Sequence, residues 1–242
     1  MMKLPGLVVL LSALLSSVVF SSEVEVINAG VGGNSSANLL PRVHEDVIAK
    51  HPDLVILMVG TNDALNSQKL TAPEVFAANL EKLVTEMTGS GSEVILMTIP
   101  PCVPDYLFER HSRSAYGDVS PGERIRRVND IIREIAVSNG LRMVDLHALV
   151  QSHGGASTEA DCLIRNEANS GRKDGVHPTE AGYRIVAEAI YEVLTEEGQS
   201  YEGQRIVCFG DSITYGAGMK KAGTAEPDAT TYPGRLALLL NP

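Results

Sequence analysis

The stretch VCFGDSITYGAG, residues 207–218, joins an apolar run to a glycine-bordered turn that carries Ser212. The apolar run has the composition of a buried strand, and the turn has the composition of a chain entering a helix. A serine presented at the end of a buried strand is a candidate nucleophile. Ser212 lies near the end of the 242-residue chain, after the other polar motifs described below.

Apolar strands and amphipathic helices alternate along the rest of the chain. Five segments have strand character: 23–30, 53–60, 93–101, 141–147 and 205–210. Helical periodicity covers four segments: 35–50, 71–89, 123–140 and 179–198. Strands that are apolar throughout and separated by helices specify a mostly parallel sheet with helices on both faces. The predicted fold class is therefore α/β, a three-layer α/β/α sandwich around a five-stranded sheet.

The composition limits the partners of this chain. It is 44% hydrophobic and 21% charged, as in an ordinary globular protein, and its formal net charge is −10. Binding to phosphate groups needs clustered Lys and Arg, and no such cluster occurs in the sequence. We therefore expect neither nucleic acid nor an anionic membrane to be its partner.

Residues 1–22 combine Lys3, an apolar run from Leu7 and serines near residue 21, a pattern typical of a secretory signal peptide. A transmembrane anchor and a helix retained in the fold are the alternatives. The signal-peptide interpretation predicts a secreted or periplasmic protein whose residues 23–242 form one domain without stable membrane insertion. In an exported protein, Cys102 and Cys162 could pair, and Cys208 is expected to be a buried thiol. The three cysteines lack metal-ligand spacing, so no metal site is predicted.

Polar motifs stand at the predicted ends of the strands. NAGVGGNS (28–35) follows the first strand, GTND (60–63) the second and GDS (210–212) the last, while DGVHP (174–178) precedes the last long predicted helix. Ligands of such sheets bind beyond the carboxyl ends of the strands. Each motif alone is common in turns and helix caps, but their joint occurrence predicts a functional site at one rim.

The residues in these motifs suit acyl transfer. Ser212 is too weakly acidic to attack an ester unaided, and His177 is the residue type that accepts a proton near neutral pH. Asp174 can hold the imidazole and stabilise the imidazolium. The backbone N–H groups of Ser212 and Gly33 and the side-chain amide of Asn62 would stabilise an oxyanion.

Three neighbours of these residues are predicted to fix the loops through hydrogen bonds: Asp211, Asn34 and Asp63. Four aromatic residues near the predicted rim are candidates for substrate contact: Tyr106, Phe108, Tyr116 and Tyr215. His111 lies in a polar loop, where the sequence assigns it no role.

With these four motifs the sequence resembles the SGNH, or GDSL-type, hydrolase family. GDSITYG resembles the nucleophile block, NAGVGGNS and GTND resemble the blocks that supply the glycine and the asparagine, and DGVHP resembles the acid and base block. The resemblance implies a flavodoxin-like sheet and ester hydrolysis without a cofactor. It also implies a Ser212, His177 and Asp174 triad, with Ser212, Gly33 and Asn62 in the oxyanion hole.

The order of the blocks departs from the family, because the serine block comes last instead of first. Joining TTYPGRLALLLNP (230–242) to EVEVINAGVGG (23–33) restores the family order, which predicts a circular permutation. EGQSYEGQ (197–204) would then link the former termini. The strand at 205–209 is predicted to lie between those at 23–29 and 53–59 in the sheet.

The sequence does not determine which ester is the substrate. An open polar rim and the absence of a long apolar lid favour a short-chain acyl ester, with O-acetyl groups on a polysaccharide as the leading hypothesis. Lysophospholipase or thioesterase activity and acyl transfer to a sugar are alternatives within enzymes, and a non-catalytic module that binds an acylated glycan is the alternative outside them. A phosphate-binding turn is disfavoured, because the GDS motif lacks the Lys-Ser/Thr and glycine spacing of such turns.

Overall fold

A computed structural model describes residues 23–196 and 198–242. The predicted leader, residues 1–22, lies outside the described residues, and so does the first residue of the predicted linker at 197–204. Five parallel strands form one sheet: β1 (Glu25–Gly30), β2 (Leu54–Met58), β3 (Glu93–Met97), β4 (Arg142–Val144) and β5 (Arg205–Gly210). Their order across the sheet is β1-β5-β2-β3-β4.

The strand that comes last in the chain lies inside the sheet, as the sequence predicted. In β5, Cys208 pairs with Asn28 of β1 on one side and with Ile56 of β2 on the other. If β5 is counted as the first strand, the spatial order becomes 2-1-3-4-5, which is the flavodoxin-like order. The carboxyl ends of β1, β5 and β2 therefore meet at one rim, where Gly33, Ser212 and Asn62 follow.

Helices cover both faces of the sheet. The α-helices of the described residues are α1 (Ser36–Leu39), α2 (Val43–Asp46), α3 (Thr61–Leu65), α4 (Pro73–Gly89), α5 (Pro104–Phe108), α6 (Pro121–Ser138), α7 (Leu146–Ser152), α8 (Glu167–Ser170), α9 (Glu180–Thr195), α10 (Ser212–Tyr215) and α11 (Tyr232–Leu240). The longer ones, α4 and α6 on one face and α9 and α11 on the other, form the outer layers. The predicted three-layer α/β architecture is confirmed.

The core consists of two apolar clusters, one on each face of the sheet. Successive side chains of a strand point to opposite faces. Val55 and Leu57 of β2 accordingly join the cluster under α4 and α6, and Leu54 and Ile56 join the cluster under α9 and α11. All residues of β2 are buried, which explains why its sequence is continuously apolar instead of alternating.

Side-chain caps fix where the helices around the rim begin. The Oγ1 atom of Thr179 accepts a hydrogen bond from Gly182 N at 3.1 Å and starts α9 two residues after His177. Thr231 caps α11 in the same way through Gly234 N at 3.2 Å. Such caps stabilise a helix by roughly 1 kcal/mol and set the direction from which the preceding loop enters it.

The prediction of one continuous helix over 35–50 is wrong. The segment forms α1, a 3-10 turn at Leu40–Arg42, α2 and a second 3-10 turn at Ile48–Lys50. Pro41 has no backbone N–H to donate to the preceding turn, and its ring crowds that turn, so a continuous α-helix is disfavoured. The short helices α3, α5, α7, α8 and α10 were not predicted, because elements of one or two turns have too few residues to show periodicity.

The cysteines are free thiols. Cys102, Cys162 and Cys208 are all buried and unpaired, so the disulfide that the sequence left open is not formed. Burial raises the pKa of the Cys102 thiol to about 12 and that of Cys208 still further, which keeps both protonated and unreactive.

Within residues 23–196 and 198–242, no helix has the length and apolarity needed to cross a membrane.

Candidate active site

Ser212, His177 and Asp174 form one hydrogen-bonded chain at the rim of the sheet. The Nε2 atom of His177 lies 2.9 Å from Ser212 Oγ, and its Nδ1 atom lies 2.9 Å from Asp174 Oδ1 and 3.0 Å from Oδ2. An ionised carboxylate only accepts hydrogen bonds, so the Nδ1 atom carries the proton that faces it. In the neutral imidazole Nε2 is then the acceptor for the Ser212 hydroxyl, the arrangement that a general base requires.

The GDS turn presents Ser212 at the first position of α10. Asp211 Oδ1 accepts a hydrogen bond from Ile213 N at 2.9 Å and caps this short helix. A β-carbon on Gly210 would lie 2.3 Å from both Met58 O and Thr214 Oγ1. Only glycine therefore lets β5 enter α10 so close to β2, and the turn holds the serine at the end of the strand.

Asp174 is held by its own loop and by a buried cation. Its Oδ1 atom accepts hydrogen bonds from Val176 N at 3.0 Å and His177 N at 2.9 Å. Its Oδ2 atom lies 2.8 Å from Arg165 Nη2. Burial alone would raise the pKa of Asp174, but the hydrogen bonds of His177 and the charge of Arg165 outweigh it and hold the pKa well below the usual range. Asp174 is thus ionised at any physiological pH.

Arg165 also holds the backbone around His177. Its N–H donates to His177 O at 2.8 Å, and its carbonyl accepts from Gly175 N at 2.8 Å. One buried residue thus contacts three of the four residues between Asp174 and His177. Arg165 was not predicted from the sequence, because a lone arginine carries no motif and its partners become neighbours only in the fold.

Arg110 is a second arginine that contacts Asp174. Its Nη2 atom donates to the Asp174 backbone carbonyl at 2.6 Å, and its Nη1 atom lies 3.8 Å from Asp174 Oδ1. Arg110 follows α5 in the stretch between β3 and α6, which the sequence analysis described only as a polar loop.

Two backbone N–H groups at the rim are available to a ligand. Within the described residues, neither Ser212 N nor Gly33 N donates to another group of the chain. Gly33 has φ +76°, in the left-handed region that favours glycine, and a β-carbon there would meet nothing within 4 Å. The backbone conformation, and not crowding, is therefore what calls for glycine at this position.

Asn62, the first-turn residue of α3, has one amide hydrogen to spare. Its Nδ2 atom donates to Asn34 O at 2.9 Å, and its Oδ1 atom accepts from Asn66 Nδ2 at 3.3 Å. These two contacts fix the orientation of the amide and leave its second N–H for the cleft. Ser212, Gly33 and Asn62, the predicted oxyanion donors, all line the same cleft.

Asn34 and Asp63, which the sequence predicts to fix the loops, each make hydrogen bonds between loops and helices of the rim. Asp63 is buried and accepts from Ser36 N at 2.9 Å, Ser36 Oγ at 2.6 Å and Thr71 Oγ1 at 2.9 Å. Asn34 accepts from Asn62 through its carbonyl and from Arg42 Nε at 2.8 Å through its side chain. The glycine loop is thereby tied to α3.

Two cations that the sequence analysis missed also hold this loop. Lys69 Nζ donates to Gly33 O at 2.6 Å. Arg42 donates to Ala29 O at 2.9 Å and to Gly210 O at 2.7 Å, so that it joins the ends of β1 and β5. Neither residue lies in a motif that the sequence analysis recognised.

Asp211 lies buried directly beside the serine. Burial raises its pKa to about 6, even though the hydrogen bond from Ile213 N lowers it in part. Its Oδ2 atom has no hydrogen-bond partner among the described residues. Asp211 is thus a capping residue whose charge is poorly compensated.

The cleft at this rim has a volume of about 370 Å³. Leu65, Leu107, Val176 and Ala217 give it an apolar part. The polar part comprises Gly33, Thr61, Asn62, Asn66, Arg110, His111, His177 and Ser212. His111, to which the sequence assigned no role, thus lines the site.

The aromatic candidates are absent from the described lining of the cleft. Tyr116 is buried and donates to Leu65 O, and Phe108 packs edge-on against it with ring centroids 5.6 Å apart. These two residues support the cleft from behind. Tyr106 packs beside Gly175, and Tyr215 lies beside Gly223. The predicted aromatic contacts with substrate are not supported by these positions.

Comparison with known families decides the relationship. A model of the GDSL-like lipase/acylhydrolase family matches residues 6–185. The chain belongs to this family. The matched range contains Gly33, Asn62, Asp174 and His177, and it ends before the strand that carries Ser212. The resemblance to SGNH, or GDSL-type, hydrolases is confirmed, and membership of the family supports an esterase or acylhydrolase.

Several individual proteins are similar to this chain over most of its length. An acetylxylan esterase from Geobacillus stearothermophilus is 29% identical over 195 residues, which is 76% of this chain and 78% of that protein. An uncharacterized lipoprotein from Bacillus subtilis is 28% identical over 182 residues, 70% of this chain and 73% of that protein. Among solved structures, a lipase/acylhydrolase from Enterococcus faecalis has a TM-score of 0.54 at 22% identity, over 68% of this chain and 72% of that one. This last likeness supports the fold.

Proposed function

We propose that this GDSL-like chain is a serine hydrolase that removes short acyl groups, foremost O-acetyl groups on carbohydrate, through an acyl-enzyme on Ser212. The observation that carries the proposal is the hydrogen-bonded chain from Asp174 through His177 to Ser212. His177 and Ser212 line a cleft together with the Asn62 amide and Gly33. The backbone N–H groups of Ser212 and Gly33 donate to no other group among the described residues.

The first half of the reaction acylates Ser212. As Ser212 Oγ bonds to the carbonyl carbon of the ester, His177 Nε2 takes the hydroxyl proton, and Asp174 stabilises the resulting imidazolium. The carbonyl oxygen becomes an oxyanion that accepts hydrogen bonds from Ser212 N, Gly33 N and Asn62 Nδ2. The carbon–oxygen bond to the alcohol then breaks, and the alcohol leaves with the proton from His177.

The second half releases the acid. A water molecule gives its proton to His177 Nε2 and attacks the acyl carbon, and the same three donors stabilise the second oxyanion. When the bond to Ser212 Oγ breaks, the serine recovers its proton from His177. The carboxylic acid leaves and the resting site is restored, so the cycle needs only water as its second substrate.

The cleft favours a small acyl group. Four aliphatic residues form the apolar part of its described lining, and the whole cleft measures about 370 Å³, so it has room for a short acyl group together with part of the alcohol. The acetylxylan esterase among the relatives supports an acetyl ester on carbohydrate as the substrate class.

Hydrolysis of p-nitrophenyl acetate, butyrate and octanoate tests this proposal. We expect acetate to have the highest kcat/KM, and we expect Ser212→Ala to lose activity on all three esters while its melting temperature stays unchanged. Ser152→Ala, an exposed serine at the end of α7, is the matched control and should retain full activity. Preference for octanoate would favour a lipid acylhydrolase. A folded but inactive protein would favour a module that only binds an acylated glycan.

We also infer that the chain is a circular permutation of the usual family order. The two ends that the permutation would have created by opening the chain lie together: Asn241 Nδ2 donates to Val24 O at 3.0 Å, and Val24 N donates to Asn241 Oδ1 at 2.8 Å. Helix α11 could therefore continue into β1 with little rearrangement. The position of β5 between β1 and β2 supports the same inference.

A further inference from the structure

Among the described residues that line the cleft beside Ser212, the charged side chain is a cation, Arg110. Two guanidinium groups share the single carboxylate of Asp174. Arg165 makes the short ion pair at 2.8 Å and is buried with it, whereas Arg110 lies 3.8 Å from the other carboxylate oxygen. The side chain of Arg110 is 40% exposed. Because Arg165 already neutralises Asp174, the charge of Arg110 is left largely uncompensated.

No carboxylate lines the part of the cleft that the structure describes. Apart from Arg110, its polar lining consists of uncharged hydroxyl, amide and backbone groups and the two histidines, His111 and His177. Burial and the neighbouring Arg110 lower the pKa of His111, which favours its neutral form, so His111 brings no charge that would pair with Arg110. Asp63 and Asp211 are buried, at 1% and 0% exposure, and do not line the cleft.

The charge of the cleft is opposite to that of the whole chain. The formal net charge is −10, yet the charged side chain among the described lining residues is an arginine. Across the glycine loop, Lys69 adds a second cation, which bonds Gly33 O and Asn38 Oδ1 and forms no ion pair within the described residues. A partly enclosed site of one sign attracts ligands of the opposite sign.

Arg110 is held in a position suited to an anion. Its hydrogen bond to the Asp174 carbonyl uses one N–H of Nη2 and anchors the guanidinium at the wall of the cleft. An arginine has five N–H donors, so several remain for a ligand. A guanidinium binds carboxylate and phosphate groups with paired hydrogen bonds.

We propose that Arg110 binds an anionic group of the substrate, so that the preferred ester belongs to a compound carrying a carboxylate or phosphate near the acylated hydroxyl, such as an O-acetylated uronic acid. This inference rests on the proposed esterase function. Because Arg110 and Ser212 line one cleft, the anion and the ester would be bound together, and the anion would orient the acyl group toward Ser212 Oγ.

The test compares pairs of acetylated sugars in which one member carries an anionic group and the other does not. The carboxylate pair is an O-acetylated methyl galacturonoside and its uncharged methylamide, and the phosphate pair is an O-acetylated methyl glucoside with and without a 6-phosphate. We expect kcat/KM to favour at least one anionic member by about tenfold or more, the effect of one hydrogen bond to a charged group. The pair with the larger ratio identifies the anion.

Two variants show which arginine is responsible. In Arg110→Gln the ratio within each pair should fall to about one. Arg113→Gln is the matched control, because Arg113 lies on the same segment, is exposed and pairs with Asp105, and it should keep the wild-type ratio. The ratio cancels any general loss of activity that follows from the contact of Arg110 with Asp174.

A measurement on the unaltered protein covers the case in which Arg110→Gln fails to fold. Raising the ionic strength to about 0.5 M should lower kcat/KM for the anionic substrate and leave its uncharged partner nearly unchanged. Equal rates within both pairs, or a ratio that survives in a folded Arg110→Gln protein, would overturn the proposal. In both cases hydrolysis of the uncharged acetates would still support the esterase function. A folded protein that hydrolyses neither the sugars nor p-nitrophenyl acetate would overturn the anion proposal and the esterase function together.

Discussion

At the scale of single residues, Asn62 offers a direct test of the oxyanion site. Its amide is oriented by Asn34 and Asn66, and Asn62 lines the cleft that contains Ser212 with one amide N–H unused among the described residues. Asn62→Ala should lower kcat about a hundredfold with little change in KM, because the lost hydrogen bond acts mainly on the transition state. Steady-state kinetics on p-nitrophenyl acetate measure this. Asn139→Ala, at an exposed position after α6, should behave like the wild type, and a kcat close to wild type in Asn62→Ala would exclude Asn62 as a donor.

Asp211 should make stability depend on pH. Burial raises its pKa to about 6 from an ordinary 3.8, so its ionisation is less favourable in the folded protein than in the unfolded chain. The stability that the protonated form provides is complete below about pH 4 and is lost as the pH rises through about 6. Asp211→Asn retains an oxygen that caps α10 and cannot ionise. We therefore expect its free energy of unfolding to exceed that of the wild type at pH 8, by up to about 3 kcal/mol, and the gain to disappear at pH 4.

Urea unfolding at the two pH values measures this difference. The control is Asp161→Asn, an exposed aspartate for which the difference from wild type should be small at both. If Asp211→Asn is less stable than the wild type at pH 8, or if its gain is equal at both pH values, the buried charge is not the cause.

The candidate site residues differ in how far the sequence reveals them. Ser212, His177, Asp174, Gly33 and Asn62 each stand in a short motif at an element boundary. The first three are joined by hydrogen bonds, Gly33 and Asn62 line the same cleft, and the catalytic roles of all five remain proposals. The four cations that hold these motifs, Arg42, Lys69, Arg110 and Arg165, were not predicted. An isolated Arg or Lys looks like an ordinary surface residue until the fold shows which carbonyl or carboxylate it meets.

At the scale of secondary structure elements, Arg42 connects three pieces of the rim. It bonds the carbonyls that end β1 and β5 and the side chain of Asn34, and it lies over the Phe209 ring at 4.5 Å. Arg42→Met leaves part-buried acceptors unpaired, so we expect a loss of about 2 to 4 kcal/mol in stability. We also expect a lower kcat, since the glycine loop loses a support.

Thermal melts and kinetics of Arg42→Met, Arg42→Lys and Arg184→Met test this role. Lysine can replace at most part of the planar set of contacts, so Arg42→Lys should be intermediate. Arg184 forms an exposed pair with Glu188 on α9, and its loss should cost under about 1 kcal/mol. Equal effects of Arg42→Met and Arg184→Met would mean that Arg42 does not hold the rim together.

Secondary structure elements with a long apolar pattern were predicted from the sequence, and short ones were not. The five strands are apolar, and α4, α6 and α9 span several turns with one apolar face each, so their positions follow from periodicity. The segment from residue 35 to 50 has similar periodicity, but Pro41 interrupts its hydrogen bonds. The short α10 depends on Gly210 and the Asp211 cap, which are properties of the turn and not of a repeating pattern.

At the scale of the whole molecule, the inferred permutation predicts that the last segment of the chain can be moved to the front without loss of the fold. A chain in which residues 198–242 precede residues 23–196 would run from α11 straight into β1, past the paired Asn241 and Val24. Every strand would keep its neighbours in the sheet. We expect this rearranged chain to fold with a cooperative melt and to hydrolyse p-nitrophenyl acetate with a kcat/KM within about tenfold of the original.

Circular dichroism and activity measurements on the rearranged chain check this prediction. A control that moves the same residues, 198–242, into the loop between α6 and β4 should not fold, because β5 could no longer reach its place between β1 and β2. If the first rearranged chain is also unfolded, the original order is needed for folding and the permutation inference fails.

The proposed function depends on a covalent acyl-enzyme that Ser212 forms with the help of His177. The most direct measurement is mass spectrometry of the intact and digested protein after reaction with diethyl p-nitrophenyl phosphate, which esterifies an activated serine and leaves a stable adduct. We expect one adduct per chain, located on the peptide that contains Ser212 and absent in His177→Ala, with ester hydrolysis falling as the adduct forms. An adduct on another residue, or full hydrolysis by a protein whose Ser212 is completely modified, would rule out this acyl-enzyme.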